Sequence, residues 1–282
     1  MRFNYRFLGL ALAFAAAIGA TPAAAACATL QDAPCEVASG NYDIALPDNV
    51  NAGPIPVVMF LHGAGGDGAG VMRNKGMVNR ILERGYAVIA PTAELGHGQG
   101  GHWNFQGAAQ GRDELAFLTE VMADATARFN LDPNRSILAG FSVGGSMTSY
   151  IACEAPDAFS AFAPISGSFW EPMPKSCAGP VRLLHTHGWS DGTVPLEGRP
   201  LRGGALVQGD VFQSMQIWRA ANGCTGLKAD EFVSELPFLR RSWTRCTPGS
   251  ALEFALFTGG HMIPPGWADM TLDWFEALPP RS

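Results

Sequence analysis

Short apolar runs along this chain alternate with stretches in which apolar residues recur every three or four positions. Val57-Val58-Met59-Phe60-Leu61, led in by Pro54 and Pro56, reads as a buried strand. Tyr86 to Ala90, stopped by Pro91, and Ser136 to Gly140 read the same way, as do Ala161 to Ile165, Val181 to His185 and Leu252 to Phe257. Runs that are apolar throughout, rather than at every second position, belong to strands covered on both faces. Helical spacing is clearest from Asp113 to Phe129, where Leu115, Leu118, Met122, Ala125 and Phe129 fall on one face. Asp113 stands at its N-cap, and Asp132-Pro133-Asn134 turns the chain into the next strand. Val211 to Ala221 is a further helix, and Ser146 to Cys153 is compatible with one. Strands and helices in this alternation predict an α/β fold, a mainly parallel central sheet flanked by helices.

No repeat, Ser/Thr-rich linker or appended module interrupts the pattern, so residues 27–282 read as one domain. The stretch of about 192–250 is long for a connection. It joins a Gly-rich loop (Gly198 to Gly209), the 211–221 helix and a Cys-bounded segment, and is expected to cover the top of the sheet and shape a cleft. The first residues have a different character. Arg2 and Arg6 precede an apolar run from Phe7 to Ile18, and Ala23 to Ala26 offer cleavage sites, so 1–26 reads as a signal peptide. That run is short for a membrane span, and no other stretch is apolar enough to be one. The expected location is therefore secreted or periplasmic.

Composition narrows the partners. The net charge is −6 without clustered Lys and Arg, which argues against nucleic acid. A small-molecule or oligomeric substrate of little charge fits better. All six cysteines lie after the signal, and an even count in an exported chain suggests disulfides. Many pairings are possible. The simplest joins neighbours: Cys27 with Cys35, Cys153 with Cys177, Cys224 with Cys246. No Cys-x-x-Cys spacing supports zinc or redox chemistry.

The sequence contains Gly-x-Ser-x-Gly twice, at Gly140–Gly144 and at Gly188–Gly192. The chemistry behind the pattern is a sharp strand-to-helix turn that lifts a serine hydroxyl clear of a sheet, with glycines where side chains would clash. Ser142 follows a strand and precedes a helix-compatible run, so it is the expected nucleophile. Ser190 is followed by Thr193-Val194-Pro195, which does not open a helix cleanly, and reads as a loop residue. A hydroxyl needs a base, and His261 is the histidine that lies after Ser142 with room for an acid between them. Asp157, Asp191, Asp210 and Asp230 fall in that interval. Asp191 closely follows the Val181–His187 strand and is the expected acid, with Asp210 second.

His62-Gly63-Ala64-Gly65-Gly66 follows a strand and admits two readings. Gly63, Gly65 and Gly68 satisfy a dinucleotide fingerprint, but the next strand ends in Ala90-Pro91-Thr92 without an acid for a ribose. The favoured reading is an oxyanion-hole loop, in which the Ala64 N–H acts beside the N–H of Val143. His62 then fixes the loop. His185 and His187 share a strand face but have no third ligand nearby in sequence, so no metal is expected. Trp103, Trp170 and Trp189 lie near these elements and are candidate walls of a substrate pocket.

The motif set resembles the polyhydroxybutyrate depolymerase and feruloyl esterase family of α/β-hydrolases. The similarity rests on Leu61-His62-Gly63, on Asp132-Pro133 leading to Gly140–Gly145, on His187–Pro195 as an acid loop, and on Gly259-Gly260-His261 with Pro264 as a base loop. It spans about Gly40 to Leu278. It implies hydrolysis of carboxylic esters through an acyl-enzyme, with neither metal nor cofactor. No separate polymer-binding module is visible, so hydroxyalkanoate oligomers or feruloyl-type aryl esters are the implied substrates. The competing expectation is a catalytically idle α/β-hydrolase that binds a sugar or lipid.

Overall fold

A computed structural model describes residues 1, 27, 33–48, 53–94, 101–105 and 111–279. The expected signal peptide, apart from Met1, lies outside these described residues. In chain order the elements are β1 (Cys35–Val37), β2 (Gly40–Ala45), β3 (Ile55–Leu61), α1 (Gly68–Arg73), α2 (Lys75–Glu83) and β4 (Ala87–Pro91). Then come α3 (Glu114–Phe129), β5 (Leu131–Phe141), α4 (Val143–Glu154), β6 (Ala161–Ile165) and β7 (Arg182–Gly188). The chain ends with β8 (Arg199–Leu201), β9 (Leu206–Gln208), α5 (Val211–Ala221), β10 (Glu231–Glu235), β11 (Phe238–Trp243), β12 (Ala251–Phe257) and α6 (Trp267–Glu276).

Ten strands form one sheet in the order β1-β2-β4-β3-β5-β6-β7-β12-β11-β10. The centre, from β4 through β3, β5, β6 and β7 to β12, is parallel, and the pairs at both edges are antiparallel. The parallel strands are the apolar runs of the sequence. Their alternate residues divide between two cores, as strand geometry requires. Met59, Leu138 and Leu183 face the side covered by α3, α4 and α5, packing with Phe117, Met147 and Trp218. Val58, Ile137 and Leu184 face the side covered by α1, α2 and α6, packing with Val71, Val78 and Trp274.

The caps follow the sequence. Asp113 accepts the Ala116 N–H at the start of α3, and Asp210 accepts the Gln213 N–H at the start of α5. Asp210, the second candidate acid, is thus occupied as a helix cap. Two local expectations need correction. Asp132-Pro133-Asn134 is not a turn ahead of β5 but lies within it, where the pairing with β3 shifts register between Ile55 and Val57. The turn signal survives as a local bond, because Asp132 accepts the Asn134 N–H inside the bulged strand. The Gly-rich 198–209 stretch is also not a plain loop, since β8 and β9 pair within it as a small antiparallel ribbon. Disulfides join Cys27–Cys35, Cys153–Cys177 and Cys224–Cys246. No helix among the described residues is long and apolar enough to cross a membrane.

Candidate active site

Parallel strands point their carboxyl ends to one edge of the sheet, and the loops leaving β3, β5, β7 and β12 gather there. The chain leaves β5 at Phe141 and enters α4 at Val143, so one residue must absorb the whole change of direction. Ser142 does so at φ 60° and ψ −122°, a region that side chains rarely occupy. The turn closes only because its flanks lack side chains. A Cβ on Gly140 would lie 2.3 Å from the Gly144 carbonyl oxygen, and one on Gly144 would lie 2.3 Å from the Leu61 carbonyl oxygen. Ser142 is held by its own N–H, which donates to Ile165 on the neighbouring strand.

A serine at a helix N-cap normally turns its oxygen onto the first N–H groups of the helix. Here the side chain makes no cap bond. Its Oγ instead lies 2.9 Å from Nε2 of His261, which sits just beyond β12. The other ring nitrogen of His261, Nδ1, lies 2.8 Å from Oδ2 of Asp191, beyond β7. The structure thus brings together the three residues expected from sequence to act as nucleophile, base and acid. An imidazole between a hydroxyl and a carboxylate can accept the hydroxyl proton while its developing charge is stabilised.

Asp191 is firmly positioned. Its Oδ1 accepts the N–H groups of Thr193 and Val194, which leaves Oδ2 for the imidazole. Burial pushes its pKa up, but the hydrogen bonds from His261 and Val194 and the adjacent imidazoles outweigh this, and the net shift is downward. Beneath it lie His185 and His187, both fully buried. His187 Nε2 is 2.8 Å from the Val194 carbonyl and must donate to it, so its Nδ1 accepts from His185 Nε2 at 3.1 Å. Burial lowers the pKa of both rings, favouring neutral imidazoles. This histidine stack braces the 191–194 turn from below.

Opposite His261 is the loop after β3. A Cβ on Gly63 would come within 3.5 Å of the Ser142 Cβ, so this loop backs directly onto the serine. His62 is buried, accepts the Ala93 N–H through Nε2 and therefore donates from Nδ1 to the Gly63 carbonyl at 2.7 Å. Burial lowers its pKa. The Val143 N–H opens α4 and has no intrahelical acceptor, and the Ala64 N–H has no acceptor among the described residues.

The tryptophans separate. Trp103 is buried and donates to the His62 carbonyl, and Trp170 is buried and donates to Ser146 Oγ, so both brace the site from behind. Trp189, next to Ser190, is 66% exposed. Sequence reasoning missed an apolar hollow of about 260 Å³ beside the serine, where Gly63, Ala64 and Phe141 meet Val71, Met77 and Ile263. No local motif marks Val71, Met77 or Ile263, since α1, α2 and the loop after His261 meet only in three dimensions.

Several known proteins are similar to this chain. A model of the prolyl oligopeptidase family matches residues 76–171. Feruloyl esterase B of Piromyces equi is 27% identical over 136 residues, which is 44% of this chain but only 24% of that protein. The chain therefore spans about a quarter of that relative. A probable feruloyl esterase C of Aspergillus niger is 24% identical over 244 residues, covering 83% of this chain and 80% of that protein. The poly(3-hydroxyoctanoate) depolymerase of Pseudomonas fluorescens is 35% identical over 133 residues, 42% of this chain and 46% of that one. Among solved structures, the acetyl xylan esterase from Aspergillus awamori superposes with a TM-score of 0.63 at 17% identity, covering 84% of this chain and 93% of that one. The chain has an α/β-hydrolase fold, and its resemblance to the polyhydroxybutyrate depolymerase and feruloyl esterase family holds.

Proposed function

We propose that this protein is a serine esterase that cleaves carboxylic esters through an acyl-enzyme. The observation that carries the proposal is His261, hydrogen-bonded to Ser142 Oγ at 2.9 Å and to Asp191 Oδ2 at 2.8 Å. His261 takes the Ser142 proton as Oγ attacks the ester carbonyl, and Asp191 holds the imidazolium. The N–H groups of Ala64 and Val143 receive the negative charge on the carbonyl oxygen, helped by the N-terminus of α4. His261 then protonates the departing alcohol and afterwards activates water to release the acid. No step requires a metal or a cofactor.

The names of the relatives support hydroxyalkanoate oligomers or feruloyl-type aryl esters as substrates. Three disulfides support an oxidising location, so the protein is read as secreted or periplasmic after loss of residues 1–26. We also read 27–282 as a single domain whose 192–250 segment shapes the cleft.

A fluorophosphonate probe tests the proposal. It should attach to the wild-type protein at Ser142, as located by peptide mass spectrometry. Ser142→Ala should escape labelling and lose at least about 10³ in kcat on p-nitrophenyl esters while melting like the wild type. A binding protein without catalysis would not label, and near-full turnover in the variant would remove Ser142 from the mechanism.

A further inference from the structure

We propose that the apolar hollow beside Ser142 is the subsite for one apolar group flanking the scissile ester bond, a phenyl ring or short alkyl chain. The proposal rests on Ser142 being the nucleophile. The hollow shares walls with the reacting groups: Gly63 and Ala64 come from the loop that backs onto the serine, and Phe141 immediately precedes it. The Phe141 ring also lies against the His261 imidazole, with ring centres 4.7 Å apart. A group entering this space therefore meets Gly63, which backs onto Ser142, and Phe141, which packs against His261.

Size and lining select the occupant. Sites that enclose whole drug-sized ligands run from roughly 300 to 1,000 Å³. At about 260 Å³ the hollow suits a single group rather than an entire substrate. Val71, Met77, Phe141 and Ile263 present carbon to it. Two of its polar neighbours already serve as helix caps: Asp67 accepts the Gly70 N–H at the start of α1, and Asn74 accepts the Met77 N–H at the start of α2. Recognition is then mainly by shape and apolar contact, which suits an apolar group better than a sugar ring.

Ile263 is the position from which to test this. It is half-buried in the loop after His261, and it also borders a second hollow of about 390 Å³. The experiment measures kcat/KM on two ester series. One lengthens the acid of p-nitrophenyl esters from acetate to octanoate, and the other enlarges the alcohol of acetate esters from methanol to benzyl alcohol. The wild type should favour the larger member of one series, and that series identifies which side of the ester enters. Ile263→Trp should cut the large-to-small ratio about tenfold, since one methylene in an apolar pocket is worth roughly 10- to 200-fold. Ile263→Ala should move the preference to longer groups by opening the partition to the second hollow.

Ratios that stay within about twofold of wild type in both variants would overturn the proposal, as would both variants slowing every ester by one common factor. If the tryptophan variant does not melt cooperatively, the alanine variant decides alone. A wild-type protein that neither labels with fluorophosphonate nor cleaves any ester would instead remove the parent reading, a result distinct from unchanged ratios.

Discussion

The two Gly-x-Ser-x-Gly segments both leave parallel strands of one sheet, at the same edge, and then fold into different things. At Gly140–Gly144 the serine takes a positive φ, and a helix starts at the next residue. At Gly188–Gly192 Ser190 has no positive φ, and both its N–H and its Oγ bond the Gly259 carbonyl. The first glycine is needed in each segment, since a Cβ would strike backbone oxygens 2.3 Å away, Gly144 in one and Gly260 in the other. The last glycines differ. Gly144 is pressed against the end of β3, whereas Gly192 has open space around it. The pattern therefore records a close approach after a strand. The residues beyond the serine decide the turn: Val143 to Glu154 opens a helix, while Pro195 keeps Thr193 and Val194 free to bind the Asp191 carboxylate.

If this comparison is right, the sensitive residue of the second segment is its aspartate. Asp191→Asn should keep the fold, because an amide oxygen can still accept the N–H groups of Thr193 and Val194. It should nevertheless cost about 10⁴ in kcat, since the amide no longer fixes the tautomer of His261 or offsets its charge. Rates on p-nitrophenyl acetate give the answer. A loss below about tenfold would mean that the second segment does not supply the acid.

The glycines sharpen the same contrast through stability. Gly144→Ala places a methyl group 2.3 Å from the Leu61 oxygen and 2.5 Å from the His62 oxygen, backbone atoms that cannot step aside. We expect a loss of about 3 kcal/mol, or very roughly 6–12 °C in melting temperature. Gly192→Ala meets nothing and should stay within about 0.5 kcal/mol of wild type. Thermal melts of the two variants side by side would break the comparison if they shifted equally.

The legibility of the site in the sequence depends on how local each signal is. Ser142, Asp191 and His261 each come after a strand whose apolar run is visible by itself, and the order of those runs suffices to line up three distant loops. The two histidines of β7 read as structural, and in the fold they brace the acid turn. The antiparallel edges are harder to read. In β10 all five residues are exposed, so no buried face imposes a pattern on Glu231 to Glu235. The helices α2 and α6 do carry helical spacing, Met77, Val78 and Ile81 in one and Trp267, Met270, Trp274 and Phe275 in the other, but each is only nine or ten residues long and sequence reasoning missed them, while the six residues of α1 are too few to show a period. The hollow beside Ser142 is invisible for a further reason: its walls come from four separate segments, and only packing makes them neighbours.

The smallest effect is expected at the second serine itself. Ser190→Ala removes an exposed hydroxyl whose one hydrogen bond runs to the Gly259 carbonyl at 3.1 Å. That carbonyl keeps a partner, because the Ser190 N–H donates to it at 3.0 Å regardless of the side chain. No buried polar group is left unpaired, so the cost should be about 0.5 kcal/mol or less. Asp191 is held by Thr193, Val194 and His261 and none of these bonds involves the Ser190 hydroxyl, so turnover should remain within about threefold of wild type. Steady-state kinetics on the same p-nitrophenyl ester read this directly. A hundredfold loss with an unchanged melting temperature would show that the hydroxyl takes part in the reaction, and the two segments would then differ less than their backbones imply.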